Sequence, residues 1–390
     1  MKRVAIIGAG AAGCFCAALL RKQAPELSVT VFEAGAKPMA KLAITGGGRC
    51  NLTNSFAGIR SLGEAYPRGE RVMKRALKVF SQEDTIRWFT AQGVPCTLQE
   101  DHCWFPKSQD AMDVVRCLSR GMKGADIQLK TPIKNVSSLM EAYDYVVVTT
   151  GGAPKGLPFL DGLGLELIPP VPSLFTFNIS DSGLKALMGL VLEASLSLQG
   201  TSFRAQGPLL ITDWGLSGPA TLKLSSYAAH FLAETGYQGT VAINWLHENE
   251  TEVKTRLLEI AARNPQKLLT SVHPVQQRLW EHLLTKANQR PDIRWAELGA
   301  KGLNRLVAVL TNDTYALVGK SKFREEFVTA GGVALSNIHL NTLESKQHPG
   351  LYFAGEVLDI DAITGGFNLQ AAWSTAYVCA SSIVNAALID

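Results

Sequence analysis

The first thirty-three residues limit the fold of this chain more than any other stretch. Val4 to Ile7 is an apolar run that suits a buried parallel strand, and it leads into GAGAAG, Gly8 to Gly13. A helical pattern follows through Phe15 to Lys22, and a second strand, Val29 to Phe32, ends at Glu33, twenty residues past Gly13. Each part has a physical task. Gly8 permits a tight turn, Gly10 lets the main chain approach a pyrophosphate, and Gly13 lets helix and strand pack closely. The helix start, with Ala11 and Ala12, offers unpaired N–H groups and a favourable dipole to phosphate. Glu33, followed by Ala34, can accept hydrogen bonds from a ribose diol. Glycines alone are weak evidence, but strand, glycines, helix, strand and acid in this order predict a dinucleotide-binding unit. NAD and FAD both remain open on this unit alone.

A second stretch, KLAITGGGRCNLTNS from Lys41 to Ser55, places three glycines ahead of an arginine. It reads as neither helix nor strand. Three glycines in a row lose much backbone entropy on folding, so bare backbone must be needed there. The stretch follows the second strand, at the sheet edge that faces the ligand crevice of a doubly wound fold. Gly46, Gly47 and Gly48 can turn their N–H groups inward as an anion nest. Arg49 can pair with a phosphate or with a reduced, anionic ring. A second glycine cluster closes the chain. Leu351 to Ala354 reads as a strand ending in Gly355 and Glu356, and Gly365 and Gly366 lead into a helix from about Ala371. Between the two ends, Tyr143 to Gly152 is a strand finishing in Thr150, Gly151 and Gly152. Two glycine-rich ends around an insertion point to a flavin.

From about Phe175 to Asn244 short alternating segments (LFTFNIS, LLITDWG, GTVAINW) read as a small antiparallel sheet or barrel. From His247 to about Leu310 the spacing becomes helical, and the first fold resumes near Phe327. The expected division is 1–174, 175–326 and 327–390. The helical part carries Lys254, Arg256, Arg263, Lys267, Arg278, Lys286 and Arg290. These can meet a polyanion, although a solvated helix face is the commoner use of such charges. GLSGP, Gly215 to Pro219, reads as a turn; it lacks the spacing of a nucleophile elbow, which argues against a hydrolase.

The net charge of +4 over 390 residues permits a polyanionic partner without demanding one. Seven cysteines, an odd and scattered set, suggest reduced thiols and a cytoplasmic location. No CxxC pair occurs and the seven histidines are dispersed, so no metal site is expected. The N-terminal apolar run is leader-like in composition, but its glycine spacing assigns it to the nucleotide fold. No apolar stretch reaches the ~18 residues of a membrane helix.

The glycine fingerprint with Glu33, KLAITGGGRCNLTN, ITDWGLSGPATLKLS, and TAGGVALSNI with GLYFAGEVLDIDAITGGFNLQAAW together resemble the BaiN/RdsA-type bacterial FAD-dependent oxidoreductases. The resemblance spans most of the chain and is weakest through about 230–310. It implies an α/β, two-dinucleotide-binding-domain-type, FAD-binding Rossmann-like fold with an inserted β-barrel and helical subdomain. On this resemblance Gly8, Gly10 and Gly13 hold the pyrophosphate and Glu33 the adenosine ribose. Lys41 and Thr45 through Asn51, Cys50 included, line the flavin side, and Ile133 meets the adenine. Glu356 meets the ribityl chain, and Gly366, Asn368, Leu369 and Gln370 the isoalloxazine. DHCWFPKS departs from the family, where Gly-Arg is expected before Phe-Pro. The implied chemistry is reduction of an activated C=C bond, with NAD(P)H as a transient donor, on a small molecule or on a ribosomal RNA uridine. Oxidation of a small amine, reduction of a steroid-type enone and a flavin-binding redox sensor are the alternatives. Cys50, His102 and Cys103 are the candidate proton donors. No stable protein partner and no membrane association are expected.

Overall fold

The computed structural model describes residues 1–153, 155–320 and 328–389. The chain divides into two compact units, Met1–Pro172 with the segment from Val328 onward, and Ser173–Phe327. The expected first boundary, at 175, lies close to Ser173. The expected return at 327 lies outside the described residues.

The first unit is built on five parallel strands in the order Leu351–Phe353, Tyr145–Val148, Arg3–Ile7, Ser28–Phe32, Asp126–Gln128. Val4 pairs with Val29 on one side and Tyr145 on the other, and Leu351 extends the sheet at Val146. Val4 to Ile7 are buried throughout, as expected for a strand covered on both faces. The helix Ala11–Gln23 is buried at every position from Ala12 to Leu20. Its uniformly apolar composition is therefore that of a helix enclosed on all sides. Its main neighbour is the C-terminal helix, Phe367–Ile389. The Phe15 ring meets Trp373 edge-on at 5.4 Å and Trp88 at 4.8 Å. The C-terminal helix starts at Phe367, four residues earlier than expected. Gly365 and Gly366, with φ of +122° and +89°, turn the chain, and the Gln370 N–H already reaches the Gly366 carbonyl at 3.0 Å.

The second unit is a closed six-stranded barrel, in the order Val191–Leu198, Arg204–Ile211, Gly215–Ser217, Phe177–Ile179, Asp313–Lys320, Gly239–Asn244. Three of these strands lie where alternation predicts them. The closing strand, Asp313–Lys320, was not expected, although its residues alternate buried and exposed from Asp313 to Val318. Two helices, Pro219–Tyr227 and Ala229–Glu234, also interrupt the expected run of strands. GLSGP is not a plain turn. Gly215–Ser217 is a barrel strand and Pro219 is the first helical residue after Gly218, at φ +88°. The helices expected after His247 are Glu250–Arg263, Gln277–Lys286 and Gly299–Thr311. Asn249 and Glu252 form a reciprocal capping box at the first of them.

Several basic residues of those helices are engaged within the unit. Arg256 pairs with Glu248, Arg263 with Glu259, and Arg290 with Asp292. Arg278 donates to the Ala186 carbonyl at 2.5 Å. Lys286 pairs with the buried Asp313 and lies 3.7 Å from the Tyr315 ring centroid. Four of the seven are thus paired with acids, while Lys254 and Lys267 are exposed and enter no ion pair among the described residues.

Candidate cofactor site

Parallel strands end together, so the residues that follow Ile7, Phe32, Val148 and Phe353 share one sheet edge. These are Gly8, Glu33, Thr149 and Ala354. Gly8 has φ +102°, and the Thr149 hydroxyl donates to its carbonyl at 2.8 Å. A Cβ on Gly13 would lie 2.0 Å from the Gly8 oxygen, so the helix can approach the turn only with glycine there. Gly10 differs. Its φ is an ordinary −83°, and a Cβ on it would meet no protein atom within 4 Å. Nothing inside the protein requires glycine at this position, and the space beside it is open. The first helical bond, Cys14 N–H to Gly10 O at 3.0 Å, leaves the N–H groups of Ala11, Ala12 and Gly13 outside the ladder, with no side-chain cap. The Glu33 carboxylate accepts from the Ala9 N–H at 2.8 Å and the Gly35 N–H at 2.6 Å. Ala34 is exposed beside it. The Thr131 N–H donates to the Glu33 carbonyl, which brings the segment containing Ile133 to the same edge.

Lys41 to Ile44 belong to a short helix, Ala40–Ile44, contrary to the expectation of no regular structure. The glycines beyond it form a turn in the left-handed region, with φ of +62°, +68° and +81° at Gly46, Gly47 and Gly48. Gly47 and Gly48 face open space, with no protein atom within 4 Å of an added Cβ. Thr45 anchors the turn through its hydroxyl to the Lys41 carbonyl at 2.9 Å. Arg49 is exposed, its guanidinium 4.5 Å from the Phe105 ring centroid. With its amide turned so that the nitrogen faces Thr53, Asn51 donates to the Thr53 carbonyl at 3.0 Å and accepts from the Gly366 N–H at 3.2 Å. A Cβ on Gly366 would lie 2.6 Å from the Thr53 oxygen, so the two glycine-rich segments are in direct contact. Asn54 reinforces the junction by donating to the Gly365 carbonyl at 2.9 Å.

Gly355, at φ +76°, packs over Ala12, where its Cβ would be 3.1 Å from the alanine Cβ. Glu356 accepts from the Thr329 N–H at 2.8 Å and pairs with Lys41 at 3.2 Å. Gly151 and Glu356 line one wall of a cavity of about 260 Å3, completed by Ile168, Pro169, Gly331 and Gly332. Thr150, next to Gly151 in the chain, is exposed. The helix N-terminus at Phe367, Asn368 and Leu369 leaves a second set of N–H groups outside the ladder. Two of the expected contacts are spent inside the protein. Asn368 bonds both amide groups to the Ala362 backbone, at 2.9 and 3.0 Å. Gln370 is fully buried between Thr85 and Ser374, at 3.0 and 2.8 Å. Main chain, not these side chains, is what this helix start presents.

The proposed proton donors are separated by burial. The Cys50 side chain is wholly enclosed, at φ +60°, and burial pushes its thiol up to about 12. Cys103 is also buried and pushed up to about 11, with the Asn51 amide acting against the shift. Both thiols are buried and remain protonated at neutral pH. His102 is exposed, at φ +64°. The departing DHCWFPKS segment nevertheless lies beside the triple-glycine turn, because its strand Cys103–Pro106 pairs with Thr53–Asn54. Sequence reasoning missed Thr149, Asn54 and the cavity wall at Ile168–Pro170. Proline in LIPPVPS masks a strand, Leu167–Ser173, that forms a two-stranded edge pair with Val328–Val333.

A protein-family model described as the HI0933-like protein Rossmann domain matches residues 2–382. The chain belongs to the HI0933-like Rossmann family. Within similar proteins, it is 30% identical to the ribosomal RNA dihydrouridine synthase of Escherichia coli (strain K12), over 98% of both chains. It is 26% identical to the 3-dehydro-bile acid delta(4,6)-reductase of Clostridium scindens, over 97% of this chain and 98% of that one. Its fold is similar to that of 3-ketosteroid delta1-dehydrogenase from Sterolibacterium denitrificans, at a TM-score of 0.51 and 11% identity, over 99% of this chain and all of that one. The family places the chain among oxidoreductases with an FAD-binding Rossmann-like fold, as its sequence led us to expect. The site fits that cofactor. A helix start with no side-chain cap at Ala11, a second helix start at Phe367, an open face at Gly10 and a glycine-lined cavity suit an extended, anionic dinucleotide. Among the described residues, no helix is long and apolar enough to cross a membrane.

Proposed function

We propose that this protein reduces the C5–C6 bond of a uridine in ribosomal RNA, with electrons drawn from NAD(P)H. The observation that carries the reading is the shared sheet edge. There the Gly8–Gly13 turn, the Gly46–Gly48 turn and the Phe367 helix start all present bare backbone. Bound along that edge, FAD supplies the hydride chemistry. The chain contributes position and field. The N–H groups of Ala11 to Gly13 receive the pyrophosphate, and Glu33 orients the ribose while pinning Ala9. Gly46 to Gly48 form a wall against which a flat ring can lie, with Arg49 at its rim. The Phe367 helix start favours negative charge on the reduced ring. The uridine assignment is supported by likeness to the dihydrouridine synthase over nearly the whole of both chains. Likeness to the bile acid reductase supports the wider class, hydride addition to a C=C bond conjugated with a carbonyl. The free thiols of all seven cysteines accord with action in the cytoplasm.

The test is to map dihydrouridine in ribosomal RNA from a strain lacking this gene. Loss of a modified position, restored by the wild-type chain but not by Gly47→Val, supports the proposal. An unchanged RNA profile, with NAD(P)H-dependent reduction of a steroid enone by the purified protein, replaces RNA by a small molecule as substrate.

A further inference from the structure

On the barrel unit four of the seven anticipated basic residues pair with acids, whereas the first unit carries a basic stripe along one helix face. The helix Glu70–Val79 reads ERVMKRALKV. Arg71, Lys74, Arg75 and Lys78 recur at the three- and four-residue spacing that places side chains on one helical face. All four are exposed, while Val72, Met73 and Ala76 on the opposite face are buried. Among the described residues Arg71, Lys74 and Lys78 enter no ion pair with an acidic group. Arg75 donates to Asn341. The exposed Glu70 stands four residues before Lys74, but the other like charges at these spacings repel, and a polyanion bound there would relieve that repulsion.

We propose that this stripe docks the phosphate backbone of the RNA that carries the target base, an inference that rests on the RNA reading above. The helix is tied to the cofactor edge. Its N-cap, Gly69, packs so closely on Ile360 that a Cβ would come within 2.7 Å of the isoleucine side chain. Arg68, just before it, pairs with the buried Asp361. The Ile363 N–H donates to the Ala65 carbonyl at 3.0 Å, and the Tyr66 hydroxyl donates to the Phe367 carbonyl at 2.9 Å. The segment Ile360–Phe367, which delivers the second helix start to the cofactor, is thus held by the residues that begin the basic helix. Phosphates resting on the stripe are registered against the reacting edge through one continuous set of contacts. Phosphate contacts of this kind fix position and leave base choice to the cleft. An anionic membrane is the poorer fit, because a helix that lies in a bilayer surface must offer its apolar face, and here that face is buried in the unit.

The experiment compares flavin-loaded wild type with Arg71→Glu/Lys74→Glu/Lys78→Glu, using ribosomal RNA from the deletion strain across a potassium chloride series. The variant is expected to bind RNA at least about ten-fold more weakly. Its slope of log affinity against log salt should be shallower by about two units, from three lost phosphate contacts. Dihydrouridine formation should fall with binding, while flavin content and spectrum stay those of wild type. A milder Gln triple variant should lie between the two. Wild-type affinity, slope and dihydrouridine yield in the Glu variant overturn the stripe and leave the RNA reading standing. A wild-type protein that neither binds this RNA nor forms dihydrouridine removes both. Charge-reversal that abolishes binding to phosphatidylglycerol vesicles but leaves RNA binding intact assigns the stripe to a membrane and overturns the proposal.

Discussion

The Glu33 carboxylate holds the Ala9 N–H at 2.8 Å, across the mouth of the glycine turn. Glu33 therefore acts twice. One oxygen fixes the turn and the other fixes Gly35, yet each keeps a lone pair for a ribose hydroxyl. Glu33→Ala removes both supports and the ligand contact together. A hydrogen bond to a charged acceptor contributes ~1.5–3 kcal/mol, so FAD affinity should fall by at least ten-fold. Glu33→Gln, which keeps one acceptor oxygen, should lose less. Equilibrium titration of the apoprotein with FAD checks the order, and equal affinity in all three proteins would remove Glu33 from the site.

Gly10 and Gly13 sit three residues apart and should fail differently. Gly13→Ala drives a methyl to 2.0 Å from the Gly8 oxygen, so the helix must retreat from the turn. The first unit should then lose stability, on the scale of ~1–3 kcal/mol for an overpacked site, with or without cofactor. Gly10→Ala meets no protein atom within 4 Å, so its apoprotein should melt like wild type. Its cost should appear only as weaker FAD binding. Thermal melts of apo and loaded forms separate the two, and a destabilised Gly10→Ala apoprotein would refute the assignment.

How much of this was legible in the sequence follows from what each element depends on. The strand, glycines, helix and acid of residues 3–33 are local, and their spacing alone predicts them. The contact of Gly366 with Asn51 and Thr53 joins segments more than three hundred residues apart, and only shared glycine content hinted at it. The barrel strand Asp313–Lys320 was hidden because it follows helices and pairs with strands far earlier in the chain. Burial of Cys50 was equally invisible, since a cysteine beside a glycine turn can face either way. Gln370 was read from its motif as a ring contact, whereas the helix face it occupies turns inward to Thr85 and Ser374.

The barrel unit contains a buried polar network that should govern its pH response. Asp313 accepts from the Trp245 indole at 3.1 Å and the Tyr315 hydroxyl at 2.5 Å, and pairs with Lys286. His282 meets the Tyr315 hydroxyl at 2.9 Å. Asp313→Ala leaves Lys286 and two donors without their acceptor, and removing one member of a buried pair costs about 3–5 kcal/mol. Burial lowers the His282 pKa below its ordinary value, with Lys286 adding to the shift and Asp313 opposing it. The unfolded chain therefore binds a proton more readily than the native one. Stability from this group is present above the ordinary histidine range and declines as pH falls from about 6.5 through the lower native value. Urea titrations at pH 7.5 and 5.5 should show a smaller difference in His282→Gln than in wild type. An equal difference would exclude His282 as a contributor.

The central claim is that bare backbone at Gly46–Gly48 forms a wall for FAD. Gly47 has φ +68° and open space beyond it, so Gly47→Val both strains the turn and fills the volume the ring would occupy. The decisive measurement is the nucleotide released on denaturing purified wild type and Gly47→Val, identified and counted per chain. Wild type should release about one FAD and Gly47→Val almost none, with both proteins folded by circular dichroism. Full FAD occupancy in folded Gly47→Val, or stoichiometric NAD in place of FAD from wild type, would contradict the account.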